Sequence, residues 1–539
     1  MTRTRIALFV FFQALYALTS SGNVYRIPDE FEVYFQSEHL IDGGDLSVPQ
    51  ATEIQRPIVV KRKMVGTEPI FDGRVGLDGK PYAPYGPLLA VLALPHHLAG
   101  RGLAAMMGIP RAARGEGSAW VFFVSGITML ASATAAALAV VGFHCASIAL
   151  GTHGRTALLL SMLLGGATVL WPYGTSLFSE AFVAACFIWA AAFLIDARKA
   201  VRPAPRIAMA AALIVVAGLT KFASLVVAPA FVAAILAERS IASARRRQIA
   251  SIVVGAILVA AALHFGWNTY RFGLPFEFGY DWTKRILVMP PRVFAIDEMP
   301  RGVAVLLLAP GKSLFVWAPM LVLSLVNAGA TWRRDRALAI GLLTAIALGL
   351  LGYGGHLYPE GGFAHGPRHL VPIVPLLALA AAGPASRALS TPLLYACAVA
   401  GVLMALPATA VSYLEDQGFR FNLAGNPVPG YYEVVDAAPG RPRTRYRFAH
   451  IPFVRAVGTQ GWISSPIIGL GPDYFFIHLQ QAREDLHDGK SIPEALAGTW
   501  ALVWFITALT AAALVLHQYN SLPDTSQGHP GNPVPPVSY

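Results

Sequence analysis

Long apolar stretches alternate with short polar ones along nearly the whole chain. A helix needs about 20 mostly apolar residues to cross a bilayer. On that length the pattern predicts crossings near 6–21, 118–142, 156–172, 178–196, 207–220, 222–238, 249–268, 303–326, 338–353, 367–383, 391–412 and 498–517, about twelve in all. The fold class is therefore an all-α polytopic membrane protein. The first crossing follows Arg3 and Arg5 and ends in small residues at Ser20–Gly22. It has the outline of a signal peptide, and the reading adopted is an uncleaved first span. The longer segments between crossings are 22–117, 269–302, 354–366 and 413–497. The division expected is a transmembrane module over 1–412, a small subdomain of mixed structure over 413–497, a last span over 498–517 and a tail over 518–539. Turn-rich Asn426-Pro427-Val428-Pro429-Gly430 marks the subdomain, and the Pro-, Gly- and Ser-rich tail is expected to be disordered.

Composition agrees with the pattern: 55% hydrophobic and 13% charged residues, with mean hydropathy +0.54. The net charge of +11 could suggest nucleic acid, but its cations stand in short clusters between spans. They are Arg198/Lys199/Arg202/Arg206, Arg239/Arg245/Arg246/Arg247 and Arg333/Arg334/Arg336. Such clusters anchor the cytoplasmic side. All three agree in sidedness with Arg3 and Arg5 only if the apolar stretch 85–107 does not cross, so that stretch is read as re-entrant or interfacial. Arg101, Arg111 and Arg114 then fall on the outer side, against the same rule. The long segments, and with them the chemistry, also face outward.

Several chemistries are excluded. Cys145, Cys186 and Cys397 lie in apolar segments without CxxC spacing, so neither a disulfide nor a zinc site is expected. Ala309-Pro310-Gly311-Lys312-Ser313 ends like a phosphate loop, but Leu306 stands where its first glycine belongs. His96-His97 and the other histidines lack HExxH spacing. No inverted repeat of the kind found in many carriers is visible.

What remains is a set of charged residues at the outer mouths of the spans. Asp29 and Glu30 follow the first span, where apolar spacing predicts a helix starting at the pair, and a helix N-terminus favours carboxylates. A charge at the centre of a membrane helix costs roughly 2.5–3.5 kcal/mol, so carboxylates close to lipid invite a functional reading. Glu180 opens another span. Two carboxylate sites on one face suit acid–base work. Lys221, Arg271, Lys312 and Arg368, with His365 nearby, supply cations at the same face. Singly each suits a snorkelling anchor; together they suit a phosphate group. These residues are expected to converge on one cavity. A lipid-linked saccharide flippase and a non-catalytic envelope scaffold are the rival readings, and a carrier would set its ionisable groups nearer the membrane centre.

Asp29-Glu30, Gly43-Gly44-Asp45 and Tyr82-Ala83-Pro84-Tyr85-Gly86-Pro87-Leu88-Leu89 resemble the opening of family C glycosyltransferases, the enzymes related to protein O-mannosyltransferases and the lipid A aminoarabinose transferase. Thr175–Glu180, Gly218–Lys221, Tyr270–Gly273, Pro310–Ser313 and Gly366–Arg368 resemble further blocks of bacterial members. The resemblance implies transfer of a sugar from a polyprenyl-phosphate carrier to a lipid, glycan or protein acceptor, with inversion at the anomeric carbon. It implies a site on the outer face of a bacterial inner membrane. It assigns the general base to Asp29, with Glu30 beside it and Glu180 as a second acidic group. Since cations can neutralise the charge developing on the leaving phosphate, no cofactor or metal is then required. Many relatives carry a lysine at the proline-rich turn; here Ala83 and Pro84 occupy that place, and Lys80 is the nearest substitute.

Overall fold

The computed structural model of the protein describes residues 2–22, 27–60, 63–69, 71–111, 119–280, 294–309, 311–356, 359, 361, 364–383, 391–410, 434–435, 443–444, 473–479, 493 and 495–522. The helices in chain order are α1 (Thr2–Leu18), α2 (Pro28–Asp42), α3 (Leu88–Met106), α4 (Ala119–Ala149), α5 (Gly154–Gly166), α6 (Leu170–Gly174), α7 (Ser179–Ala197) and α8 (Ala204–Thr220). They continue with α9 (Pro229–Ala237), α10 (Ser243–Phe272), α11 (Met299–Leu308), α12 (Leu314–Trp317), α13 (Leu321–Arg334), α14 (Arg336–Gly354), α15 (Val374–Ala378), α16 (Thr391–Ala410) and α17 (Leu496–Ser521). Among the described residues seven helices, α3, α4, α7, α10, α14, α16 and α17, are long and apolar enough to cross a membrane. The chain is a multi-pass membrane protein.

Several expected crossings are shorter or broken. Stretch 303–326 divides into α11, α12 and α13, and 367–383 into a 3₁₀ turn over Arg368–Ile373, α15 and a 3₁₀ turn over Leu379–Ala381. Proline is the physical reason: Pro319, Pro372 and Pro375 each remove a backbone donor and crowd the preceding turn. Stretch 222–238 likewise becomes a 3₁₀ turn over Phe222–Val226 followed by α9, which opens on Pro229. The bundle is built around α4, of whose most apolar window 89% is buried inside the protein, against 11% for α17, which lies at the periphery.

The first long loop departs from the all-α expectation. After α2 and a 3₁₀ turn over Pro49–Glu53 come two antiparallel pairs: β1 (Gln55–Val60) with β2 (Lys63–Pro69), and β3 (Arg74–Val75) with β4 (Pro81–Tyr82). A third pair, β5 (Val434–Val435) with β6 (Arg443–Thr444), belongs to the expected 413–497 subdomain. Most of that subdomain lies outside the described residues, as does the expected disordered tail beyond 522. The last helix runs four residues past the expected limit of 517, to Ser521.

Helix α3 runs antiparallel along the first half of α4, with His96 Nε2 3.0 Å from Thr134 Oγ1 and His97 Nδ1 3.0 Å from Thr128 Oγ1. Its start is pressed against the last turn of α8: a Cβ on Gly86 would stand 2.1 Å from the Leu219 carbonyl oxygen. Beyond its other end, Arg111 lies over the Trp120 ring in the first turn of α4. The next turn of α4 is tied to the segment just after α1 through Ser125 Oγ, which donates to Gly22 O at 3.0 Å. Arg101 in α3 and Arg111 beyond its end both pair with Glu38 and Asp42 at the end of α2. The three basic clusters meet at the opposite end, where Arg198 bridges Glu238 and Asp335, and Lys199 donates to Ala149 O.

Candidate active site

Pro28 sits in the first turn of α2 and places Asp29 and Glu30 there with it. Proline is favoured at this position because its missing N–H would have had no helical partner. Successive helical residues diverge by about 100°. Glu30 accordingly turns inward, is fully buried, and accepts the Leu177 N–H at 2.9 Å just before α7. Glu32 is buried too and accepts the Asp72 N–H at 2.7 Å, holding the first loop against α2.

Asp29 keeps 22% of its side chain exposed, and its Oδ1 accepts from Arg368 Nη2 at 2.5 Å. Arg368 also donates from Nε to Glu180 Oε1 at 2.7 Å, and the same oxygen accepts from Lys221 Nζ at 2.5 Å. Glu180 itself is 0% exposed. One guanidinium therefore bridges two carboxylates that are far apart in sequence, while the Phe178 ring lies 4.2 Å from its central carbon. The aromatic face adds a cation–π contact. The four side chains come from the start of α2, the start of α7, the break after α8 and the proline-rich 3₁₀ turn. Each break leaves a charged residue at a helix end rather than in mid-span. Two anions and two cations balance, and Asp29 is the most exposed of the four, with Lys221 and Arg368 partly exposed and Glu180 buried.

Tyr173 and Tyr85 flank this network and were not among the residues singled out from sequence. Tyr173 is buried against Phe178, with ring centroids 5.5 Å apart, and donates to His365 O at 2.9 Å. Burial, and after it the negative charges of Asp29, Glu32 and Asp72, push the Tyr85 phenol well above its ordinary range. It is thus a neutral O–H, and among the described residues that buried hydroxyl has no hydrogen-bond partner. The available signal was the aromatic spacing within Tyr82-Ala83-Pro84-Tyr85-Gly86-Pro87.

The other expected site residues take different places. Lys312 donates to Ala364 O at 2.5 Å, four residues before Arg368. The His365 ring stacks on Trp317, with centroids 5.8 Å apart. Arg271 is buried over Trp267 and Phe272, donating to Asn268 Oδ1 at 2.7 Å and to Ala83 O, so it supports the proline-rich turn. Lys80 lies at the exposed rim of the loop, 2.6 Å from Asp45. Burial pushes the Asp45 carboxyl up, but hydrogen bonds from Lys80 and Ser47 outweigh it and hold the group at about 2. The expected convergence thus joins Asp29, Glu180, Lys221 and Arg368 in one network, while Arg271, Lys312 and Lys80 brace the loops around it.

No protein-family model matches the chain, and no curated protein matches it. Among solved structures it is similar to ArnT from Cupriavidus metallidurans bound to undecaprenyl phosphate, with TM-score 0.46 and 14% identity over 95% of this chain and 77% of that one. It is also similar to the archaeal oligosaccharyltransferase AglB from Archaeoglobus fulgidus in complex with an inhibitory peptide and a dolichol-phosphate, with TM-score 0.42 and 12% identity over 99% of this chain and 61% of that one. Both are family C glycosyltransferases, the family that the first-loop motifs resemble.

Proposed function

We propose that the protein is a membrane glycosyltransferase that moves a sugar from a polyprenyl-phosphate donor to an acceptor at the face where Asp29 opens. The observation that carries this reading is the single guanidinium shared between a partly exposed carboxylate and a fully buried one. Glu180 is the buried counter-ion that keeps Arg368 and Lys221 charged and oriented. The cations suit the phosphate of the donor, with Arg368 offering a planar fork and Lys221 a point charge. Asp29 is the group placed to accept a proton from the acceptor.

In the reaction so assigned, the acceptor oxygen or nitrogen attacks the anomeric carbon as Asp29 takes its proton. The bond from that carbon to the phosphate oxygen breaks with inversion, and polyprenyl phosphate leaves with its new charge met by Arg368 and Lys221. The site faces the periplasm or cell exterior on this reading, opposite the three basic clusters. A panel of polyprenyl-phosphate sugars incubated with the reconstituted protein and envelope acceptors tests it, with released polyprenyl phosphate as the readout. The expected result is release that depends on Asp29. Translocation of intact lipid-linked sugar without release would overturn the reading in favour of a flippase.

A further inference from the structure

A cavity of about 260 Å³ lies at the end of the bundle opposite Asp29. Its walls include Leu194 of α7, Ile207 of α8, Phe231 of α9, Ile249 of α10, Leu342 of α14 and Leu379 of the 3₁₀ turn after α15. Side chains of this kind give a water no hydrogen-bond partner. Left empty, the cavity would forfeit dispersion contacts along its whole lining. The mouth is different: Arg198, Glu238, Ser240 and Arg245 reach it. The Arg198 charge is already matched, 2.9 Å from Glu238 Oε2 and 2.7 Å from Asp335 Oδ2. Arg245 is exposed and, among the described residues, forms no ion pair; exposed Arg239 and Arg247 flank it. Helix α10 starts at Ser243, and Ala242 before it offers no side-chain cap, so the helix start adds donors beside Arg245.

A chamber with mostly apolar walls among membrane helices, with the unmatched Arg245 at its polar mouth, fits one kind of molecule. A soluble anion would leave the apolar walls bare, and an uncharged lipid would leave Arg245 unmatched. Basic pockets between spans on the cytoplasmic side bind anionic head groups. We infer that this cavity holds an acyl chain of an anionic phospholipid from the leaflet on the basic side, with its phosphate held by Arg245 at the start of α10. The inference is independent of the chemistry assigned to Asp29.

The full chain, purified in mild detergent and stripped of lipid, is titrated with phosphatidylglycerol, with phosphatidylcholine carrying the same chains, and with glycerol phosphate, and bound lipid is counted by native mass spectrometry. The expected result is one phosphatidylglycerol per chain, held about fivefold or more tightly than phosphatidylcholine, and no retention of glycerol phosphate. Arg245→Gln should remove the preference between the two lipids. Ala242→Trp, which sets a bulky side chain at the exposed mouth, should lower retention of both. Equal affinity for the two lipids in the unmodified protein would overturn the inference without recourse to any variant. So would tight binding of glycerol phosphate alone, or wild-type lipid retention in both variants.

Discussion

Asp29 and Glu30 are neighbours in sequence, yet α2 turns one toward Arg368 and the other into the protein toward Leu177. The two carboxylates that share Arg368 are instead Asp29 and Glu180, and their exposure separates their roles. Asp29→Asn keeps the shape but cannot take a proton. It should lower turnover by roughly 10²–10⁴-fold with little change in thermal unfolding; near wild-type turnover would remove Asp29 from the base role. Glu180→Gln leaves Lys221 and Arg368 without their buried counter-ion and should cost roughly 3–5 kcal/mol of stability. Unfolding measured in one detergent for both variants separates the two carboxylates. Arg368→Lys retains charge beside Glu180 but loses the fork that reaches Asp29 as well. The expected outcome is a folded protein with weakened donor binding, and unchanged affinity for polyprenyl phosphate would mean that Arg368 serves only the fold.

At the scale of elements, the strongest sequence signals were the apolar runs; α7 and α14 follow them within two residues, and α4 starts where expected but runs to Ala149 instead of 142. Stretches 303–326 and 367–383 satisfy the same hydropathy but contain prolines, so they break. The break at 368 delivers Arg368 to the network. The first loop was legible as a helix starting at Asp29, but not as two hairpins, because short strand pairs on a helical scaffold carry little periodic signal. The pair β3–β4 docks on the segment after α2 through Val48 N–H to Pro81 O at 2.7 Å and through Lys80 to Asp45. Asp45 is held at about 2 in the folded protein, against about 3.9 for a free aspartate. Its folded value is depressed, so its contribution to stability is present above about pH 4 and is lost as pH falls through about 2. Protection of the amides across 74–82, taken relative to their intrinsic exchange rates, should therefore fall over that window and stay constant above it. Asp45→Asn should abolish the dependence.

For the whole molecule, the disposition of charge decides sidedness. The three basic clusters meet around Arg198, whereas Asp29 at the start of α2 follows the end of α1 at the other pole. Cysteines placed at exposed Leu77 and Met106 should react with an impermeant thiol reagent in intact cells, while one at fully exposed Val201 should not. Labelling at Val201 without labelling at Leu77 would reverse the orientation. Labelling at Leu77 but not at Met106 would make α3 a true crossing. Arg101 and Arg111 no longer argue against the orientation, because Glu38 and Asp42 neutralise them locally.

The membrane class, six of the seven helices long enough to cross among the described residues, and the shared end of the basic clusters follow from sequence alone, because hydration of apolar and charged groups acts residue by residue and needs no knowledge of neighbours. Asp29, Glu180, Lys221 and Arg368 stood out for the same reason, since a charge at a span mouth is conspicuous wherever the chain goes next. Which of the charged residues meet was decided only by the tertiary structure. It depends on how each helix is rotated about its axis and on where the prolines interrupt the runs. Those two variables bring Arg368 between Asp29 and Glu180 while turning Glu30 inward and setting Arg271, Lys312 and Lys80 to bracing the loops.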